Sequence, residues 1–122
     1  MESPYKGKTG LRRLCNAFGY SVAGLAEAYK NEDAFRQEVL IAAILIPIAI
    51  YLGDSAVARA LMIASVLLVI VVELLNSSIE ATVDRISLEN HHLSKRAKDV
   101  GSAAVLISLV NLLVVWGLLI FG

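Results

Sequence analysis

The apolar residues of this chain fall into one amphipathic stretch followed by three long hydrophobic runs. Between Leu11 and Tyr29, the residues Leu11, Leu14, Cys15, Phe18, Val22 and Leu25 recur at helical spacing, with Arg12, Arg13, Asn16 and Glu27 between them. That pattern predicts a surface helix over about 11–29, apolar side in lipid and basic residues toward headgroups. Residues 1–10, with Pro4, Gly7 and Gly10, read as a loosely held start, and Gly19 and Gly24 are points where the surface helix could break. Asn31-Glu32-Asp33 has the character of a helix start, a cap followed by acids in the first turn. The run it opens is apolar from Val39 to Leu52 and reaches spanning length when counted from about Ala34, with Pro47 as a bend point. Gly53-Asp54-Ser55 is a tight turn. A second span follows over about 56–85. Ile86 to Lys98 form a polar connection, and a third, uncharged span runs over about 100–121.

The second span breaks the hydrophobic pattern in one place. From Ala60 to Ile79 everything is apolar or small except Glu73 and Asn76, and Glu80 and Asp84 follow. At about 100° per residue these four positions share a sector of roughly 80°. A polar stripe therefore climbs from membrane depth to the water interface. A carboxylate in hydrocarbon is costly and marks function or a buried partner. The plain alternative is that Glu73 and Asn76 only fix helix packing.

Composition supports a membrane protein. The chain has 122 residues, 57% of them hydrophobic, with a mean hydropathy of +0.70. Its length fits one domain over 1–122. The formal net charge is zero, which gives no general attraction to nucleic acid. Cys15, alone, makes neither an internal disulfide nor a structural zinc site, and reads as an apolar filler. No short apolar run ends in a small-residue cleavage site, so no secretory signal is read. The cations are segregated. The N-terminal region through Arg36 holds Lys6, Lys8, Arg12, Arg13, Lys30 and Arg36, and the 85–98 connection holds Arg85, Lys95, Arg96 and Lys98. Only Arg59 lies near the other turn. The positive-inside rule then puts the N-terminus and the 85–98 connection in the cytoplasm and the C-terminus on the far side.

Polar residues converge at that cytoplasmic interface: Glu32, Arg36 and Glu38 from span one, the stripe from span two, Lys98 and Asp99 from span three. Carboxylates with an amide suit a hard cation such as Mg²⁺, and Lys and Arg suit phosphate. Phosphoryl transfer uses both, plus a group that takes the acceptor's proton. No GxxxxGK[ST], GxGxxG or HExxH occurs, so no conventional nucleotide loop or zinc helix is present. The residues alone reach a membrane-embedded acidic metal site facing the cytoplasm.

Three stretches go further. EAYKNEDAFRQE (27–38), VELLNSSIEATVDR (72–85) and LSKRAKDVGSAAVL (93–106) resemble the bacterial diacylglycerol kinase family of small integral membrane proteins, over nearly the whole chain. The resemblance implies an all-α integral membrane protein with three transmembrane helices and an N-terminal amphipathic surface helix. It implies transfer of the γ-phosphoryl of ATP to diacylglycerol with Mg²⁺ at the inner membrane, by a homotrimer whose active sites are shared between subunits. By matching motif, Glu73 looks like the general base with Asn76 beside it, and Glu32 and Glu80 look like metal ligands. Arg13, Tyr20, Glu32, Glu80, Glu89, Asn90, His91, Lys98 and Asp99 look like ATP contacts. Ala34, Phe35, Arg36, Gln37 and Glu38, together with Arg13 and Glu73, look like lipid-substrate positions, and Asp84 looks like a support. Arg59, Ser102 and Trp116 look like lipid-facing contacts. The chain departs from the family pattern at Ala26-Glu27 and at Asn90-His91-His92. Two rivals stand beside this reading: an undecaprenol kinase on the same scaffold, and a non-enzymatic channel or carrier using the acidic stripe. A transport path would want polar residues through the whole bilayer, and span three offers only Ser102, Ser108 and Asn111.

Overall fold

The computed structural model describes residues 9–86 and 91–122. Among them are four helices: α1 (Gly10–Asn31), α2 (Asp33–Leu52), α3 (Ala56–Ile86) and α4 (His92–Phe121). The last three are long and apolar enough to cross a membrane. At about 1.5 Å per residue, the 31 residues of α3 extend well beyond a hydrocarbon core of about 30 Å.

Helix α1 has no buried residue. Leu11, Leu14 and Phe18 are all exposed, as befits a helix whose apolar side rests in lipid. Gly19 and Gly24 do not interrupt it. The start of α2 falls one residue later than the cap pattern predicts. Asn31 ends α1, where its amide reaches back to the Glu27 carbonyl (3.0 Å) and carboxylate (2.7 Å). Glu32 alone forms the corner, in an extended conformation, and is at once the last cap of α1 and the first of α2. Its N–H donates to the Ala28 carbonyl and its own carbonyl accepts from the Arg36 N–H. At the far end, Gly53 closes α2 by donating to the Ala49 carbonyl. The Ser55 hydroxyl accepts from the Ala58 N–H at 3.1 Å and so opens α3.

The three spanning helices pack around α3. Ala42 and Ala49, seven residues apart on α2, are buried against Met62 and Val66 of α3 and Trp116 of α4. Small residues at such spacing let helix backbones approach closely, which is the main source of attraction between helices in lipid. On α3 the buried positions are Ala58, Met62, Ser65, Val66, Val69 and Glu73. They form a single helical face, so Glu73 continues the apolar seam.

Two expectations need correction here. The polar connection predicted through Lys98 is largely helical, because α4 starts at His92. The His91 ring caps it, accepting from the Leu93 N–H at 3.0 Å. Trp116, expected on the lipid side, is buried. Its indole N–H donates to the Met62 carbonyl (3.2 Å) and the Ser65 hydroxyl (3.1 Å). An indole N–H in hydrocarbon needs an acceptor, and α3 supplies two. Removing that donor in Trp116→Phe should cost about 1 kcal/mol of bundle stability. Denaturant unfolding in micelles, followed by circular dichroism, measures the loss. An unchanged midpoint would show that the bond contributes nothing.

Candidate active site

At the end of the bundle where α1 meets α2, the buried seam of α3 becomes polar. Glu73 is 5% exposed. It has no hydrogen bond or ion pair among the described residues. About one turn on, Asn76 and Ser77 are half-buried, and the Asn76 Oδ1 and Ser77 Oγ atoms are buried without partners among the described residues. Glu38, from α2, also buries one unpartnered carboxylate oxygen. Buried polar atoms without partners cost roughly 1–3 kcal/mol each, so a cluster of them marks a place prepared for something else.

The carboxylates at this end of the bundle feel one another's charge. Glu80, two turns along α3, and Glu32, at the α1–α2 corner, both act electrostatically on Glu73, and Glu73 acts on Glu38. Nearby cations are mostly engaged elsewhere. Lys98 of α4 bonds to Asp84 of α3 at 2.6 Å, tying the two helices together. Lys95 and Asp99 pair within α4 at 2.7 Å. The Arg36 guanidinium donates to the Tyr29 and Lys30 carbonyls at 2.8 and 2.9 Å and also pairs with Asp33. Arg36, expected at the lipid substrate, here clamps the last carbonyls of α1 and so fixes the corner that carries Glu32.

The other expected positions are distributed as follows. Arg13 and Tyr20 lie exposed along α1, Ala34 and Gln37 are exposed on α2, and Ser102 is exposed on α4. Phe35, expected among the lipid-substrate positions, is 2% exposed. It is a packing residue at the start of α2, since an aromatic side chain gains most when enclosed. Arg59 sits at the opposite end, donating to the Ile50 carbonyl at 3.1 Å as a cap on α2. His91 stacks on His92 with ring centres 4.7 Å apart. Glu89 and Asn90 lie outside the described residues. Three participants escaped the sequence reading. Ser77 is one, although its position one turn after Glu73 places it beside the stripe. Gly101 is another: a Cβ there would strike the Asn76 side chain, so glycine is what lets α4 close over the amide. The third is the clamping role of Arg36.

A cavity of about 690 Å³ opens between α1 and α3, lined by Ser21, Gly24, Leu25 and Ala28 on one side and Leu74, Ser77 and Ala81 on the other, with Glu32 at its edge. It is mainly apolar with a few hydroxyls, which suits a lipid with a polar head. Among the described residues no three His, Cys, Asp or Glu side chains converge as a metal-ligand set. Mg²⁺, however, commonly takes one or two carboxylates and completes its shell with water and phosphate oxygens. Glu32 and Glu80, both acting on Glu73 and neither side chain hydrogen-bonded among the described residues, fit that mode, and the excess of negative charge favours a cation.

Fold and site together define a class: an all-helical membrane protein whose bundle ends in an acidic site beside a lipid-sized cavity. A model of the prokaryotic diacylglycerol kinases matches residues 19–120. The diacylglycerol kinase of Pseudomonas aeruginosa is 57% identical over 120 residues, covering 98% of each chain. That of Haemophilus influenzae is 53% identical, covering 93% of this chain and 96% of its own. That of Escherichia coli is 50% identical, covering 93% of each. This chain belongs to the prokaryotic diacylglycerol kinase family.

The clamp can be tested apart from catalysis. Arg36→Gln removes a charged donor shared by two carbonyls, a loss of about 1 kcal/mol at a partly exposed corner. Amide exchange at residues 30–34 should quicken about fivefold while the centre of α3 stays protected. Unchanged exchange at the corner would mean that the helix caps alone hold it.

Proposed function

We propose that this protein phosphorylates diacylglycerol with ATP and Mg²⁺, giving phosphatidic acid, at the cytoplasmic face of a bacterial inner membrane. The observation that carries the reading is the buried Glu73 carboxylate, without a hydrogen bond or ion pair among the described residues, one helical turn from Ser77 in the wall of the α1–α3 cavity. The names of its close relatives supply the acceptor class. The distribution of Lys and Arg supports a cytoplasmic site, within reach of ATP.

In this mechanism the lipid enters the cavity with its acyl chains in the bilayer and its free hydroxyl at Glu73. The carboxylate accepts the hydroxyl proton. The alkoxide oxygen bonds to the γ-phosphorus as the bond to the β–γ bridging oxygen breaks, and ADP leaves. Glu73 then returns its proton to water. Asn76 positions the hydroxyl. Held by Glu32 and Glu80, Mg²⁺ would neutralise charge on the phosphoryl oxygens. Arg13, Tyr20, His91, Lys98 and Asp99 are assigned to the nucleotide on motif alone. A homotrimer with shared sites agrees with the exposed apolar faces that each chain presents, such as Leu61, Leu68 and Leu75 on α3.

Purified protein in micelles should phosphorylate diacylglycerol only with both ATP and Mg²⁺, and faster than undecaprenol. A preference for the polyprenol would reassign the acceptor, and no transfer to either would remove the reading. Glu73→Gln should fold and assemble yet lose at least about a hundredfold in turnover, the scale of a missing general base. Near-normal turnover would exclude Glu73 from the chemistry. Glu32→Gln and Glu80→Gln should each raise the Mg²⁺ concentration for half-maximal rate by about tenfold or more. Unchanged metal dependence in either variant would strike that residue from the ligand set.

A further inference from the structure

On the face of α3 away from the catalytic cavity lies a second groove, of about 680 Å³. Its floor is Ile79 of α3 with Ala97, Val100 and Ala104 of α4, and Arg96 stands at its rim. At about 100° per residue, Ile79 is about 160° around α3 from Ser77 and Ala81, which line the first cavity. The two sites therefore do not share a wall side chain on α3.

We propose that this groove binds an anionic phospholipid, its phosphate on Arg96 and an acyl chain along α4. Three observations support that occupant. The first is charge. Arg96 has no hydrogen bond or ion pair among the described residues, while its neighbours Lys95 and Lys98 are bound to Asp99 and Asp84. It is thus the cation of this helical turn left to meet a phosphate, and a guanidinium does so with paired donors. The second is length. From Leu93 to Ala104 the groove follows α4 for about 16 Å, close to one leaflet of a core about 30 Å thick. The third is shape. On α4 the lining is small at Ala97, Gly101 and Ala104, with Gly101 already packed on Asn76, which leaves a shallow channel between these residues and the larger Ile79 and Val100. The volume is within the roughly 300–1,000 Å³ of ligand sites. A second copy of the chain would have to bring its own carboxylate to Arg96, whereas the headgroup layer supplies phosphate at that depth.

Native mass spectrometry of the full chain, released from micelles containing equal dioleoylphosphatidylglycerol and dioleoylphosphatidylcholine, reads bound lipid and subunit number together. The wild type should retain phosphatidylglycerol preferentially. Arg96→Gln should lower that retention about fivefold, the effect of one basic group at an anionic headgroup. Arg96→Lys should largely keep it. Ala104→Phe, which fills the groove but leaves the charge, should lower retention of the same lipid. Equal retention of both lipids, or retention indifferent to Arg96→Gln, overturns the proposal. A change in subunit number with no change in bound lipid also overturns it, and assigns the groove to a second copy. Should Ala104→Phe fail to fold, the Gln and Lys variants at Arg96 decide alone.

Discussion

Glu73 lies on the same buried face of α3 as Met62, Val66 and Val69, so a single helix surface serves two kinds of packing. Toward the turn at residues 53–55, that surface meets small and apolar residues of α2 and α4. Toward the α1–α2 corner, it carries the Asn76 amide and feels the carboxylates of Glu32 and Glu38. In hydrocarbon a charged group must be enclosed by protein or reach water. The bundle meets that demand by ending the apolar seam where α1 folds over it. The surface helix, the one-residue corner at Glu32 and the overlong α3 together form the polar end in which that carboxylate sits.

The corner shows how little covalent chain is needed for this. Glu32 alone separates two helices, and its backbone caps both. Such a short link would swing if nothing held it. Arg36 reaches back one and a half to two turns to the exposed carbonyls of Tyr29 and Lys30, groups that any helix end leaves unsatisfied. A cation at a helix C-terminus also meets the negative end of the helix dipole. The same side chain thus satisfies the end of α1 and sets the position of the acid between the helices.

Periodicity made the fold legible because membrane solvent forces it. Runs of apolar residues near twenty long have few other structures open to them, and the amphipathic spacing of Leu11 to Leu25 is equally constrained. The polar stripe was legible for the same reason, since Glu73 and Asn76 stand out against hydrocarbon. One misreading has a plain cause. Trp116 was placed by residue type, and an aromatic near a membrane surface satisfies either lipid or core. Only the positions of Met62 and Ser65 on another helix decide for Trp116. Helix α4 began earlier than its hydropathy, because helix formation follows backbone caps such as His91 rather than apolarity. Arg36 carried a charge that suits phosphate, and its actual acceptors are backbone carbonyls that sequence does not display.

Stability and chemistry are separated along the helix axes. The half of the bundle toward the 53–55 turn holds the Trp116 bond, the alanine contacts and the Arg59 cap, and no buried polar atom without a partner is found there among the described residues. The unpartnered atoms, on Glu38, Asn76 and Ser77, all lie toward the corner. Each is a cost that the apolar half must offset. Ion pairs across α3 and α4, such as Asp84 with Lys98, stand at the outer rim, where water screens them and they contribute little. What keeps the polar end assembled is therefore the continuity of α2, α3 and α4 as rigid rods. Their packing is set one leaflet away, so the carboxylates can remain unpaired until a ligand arrives.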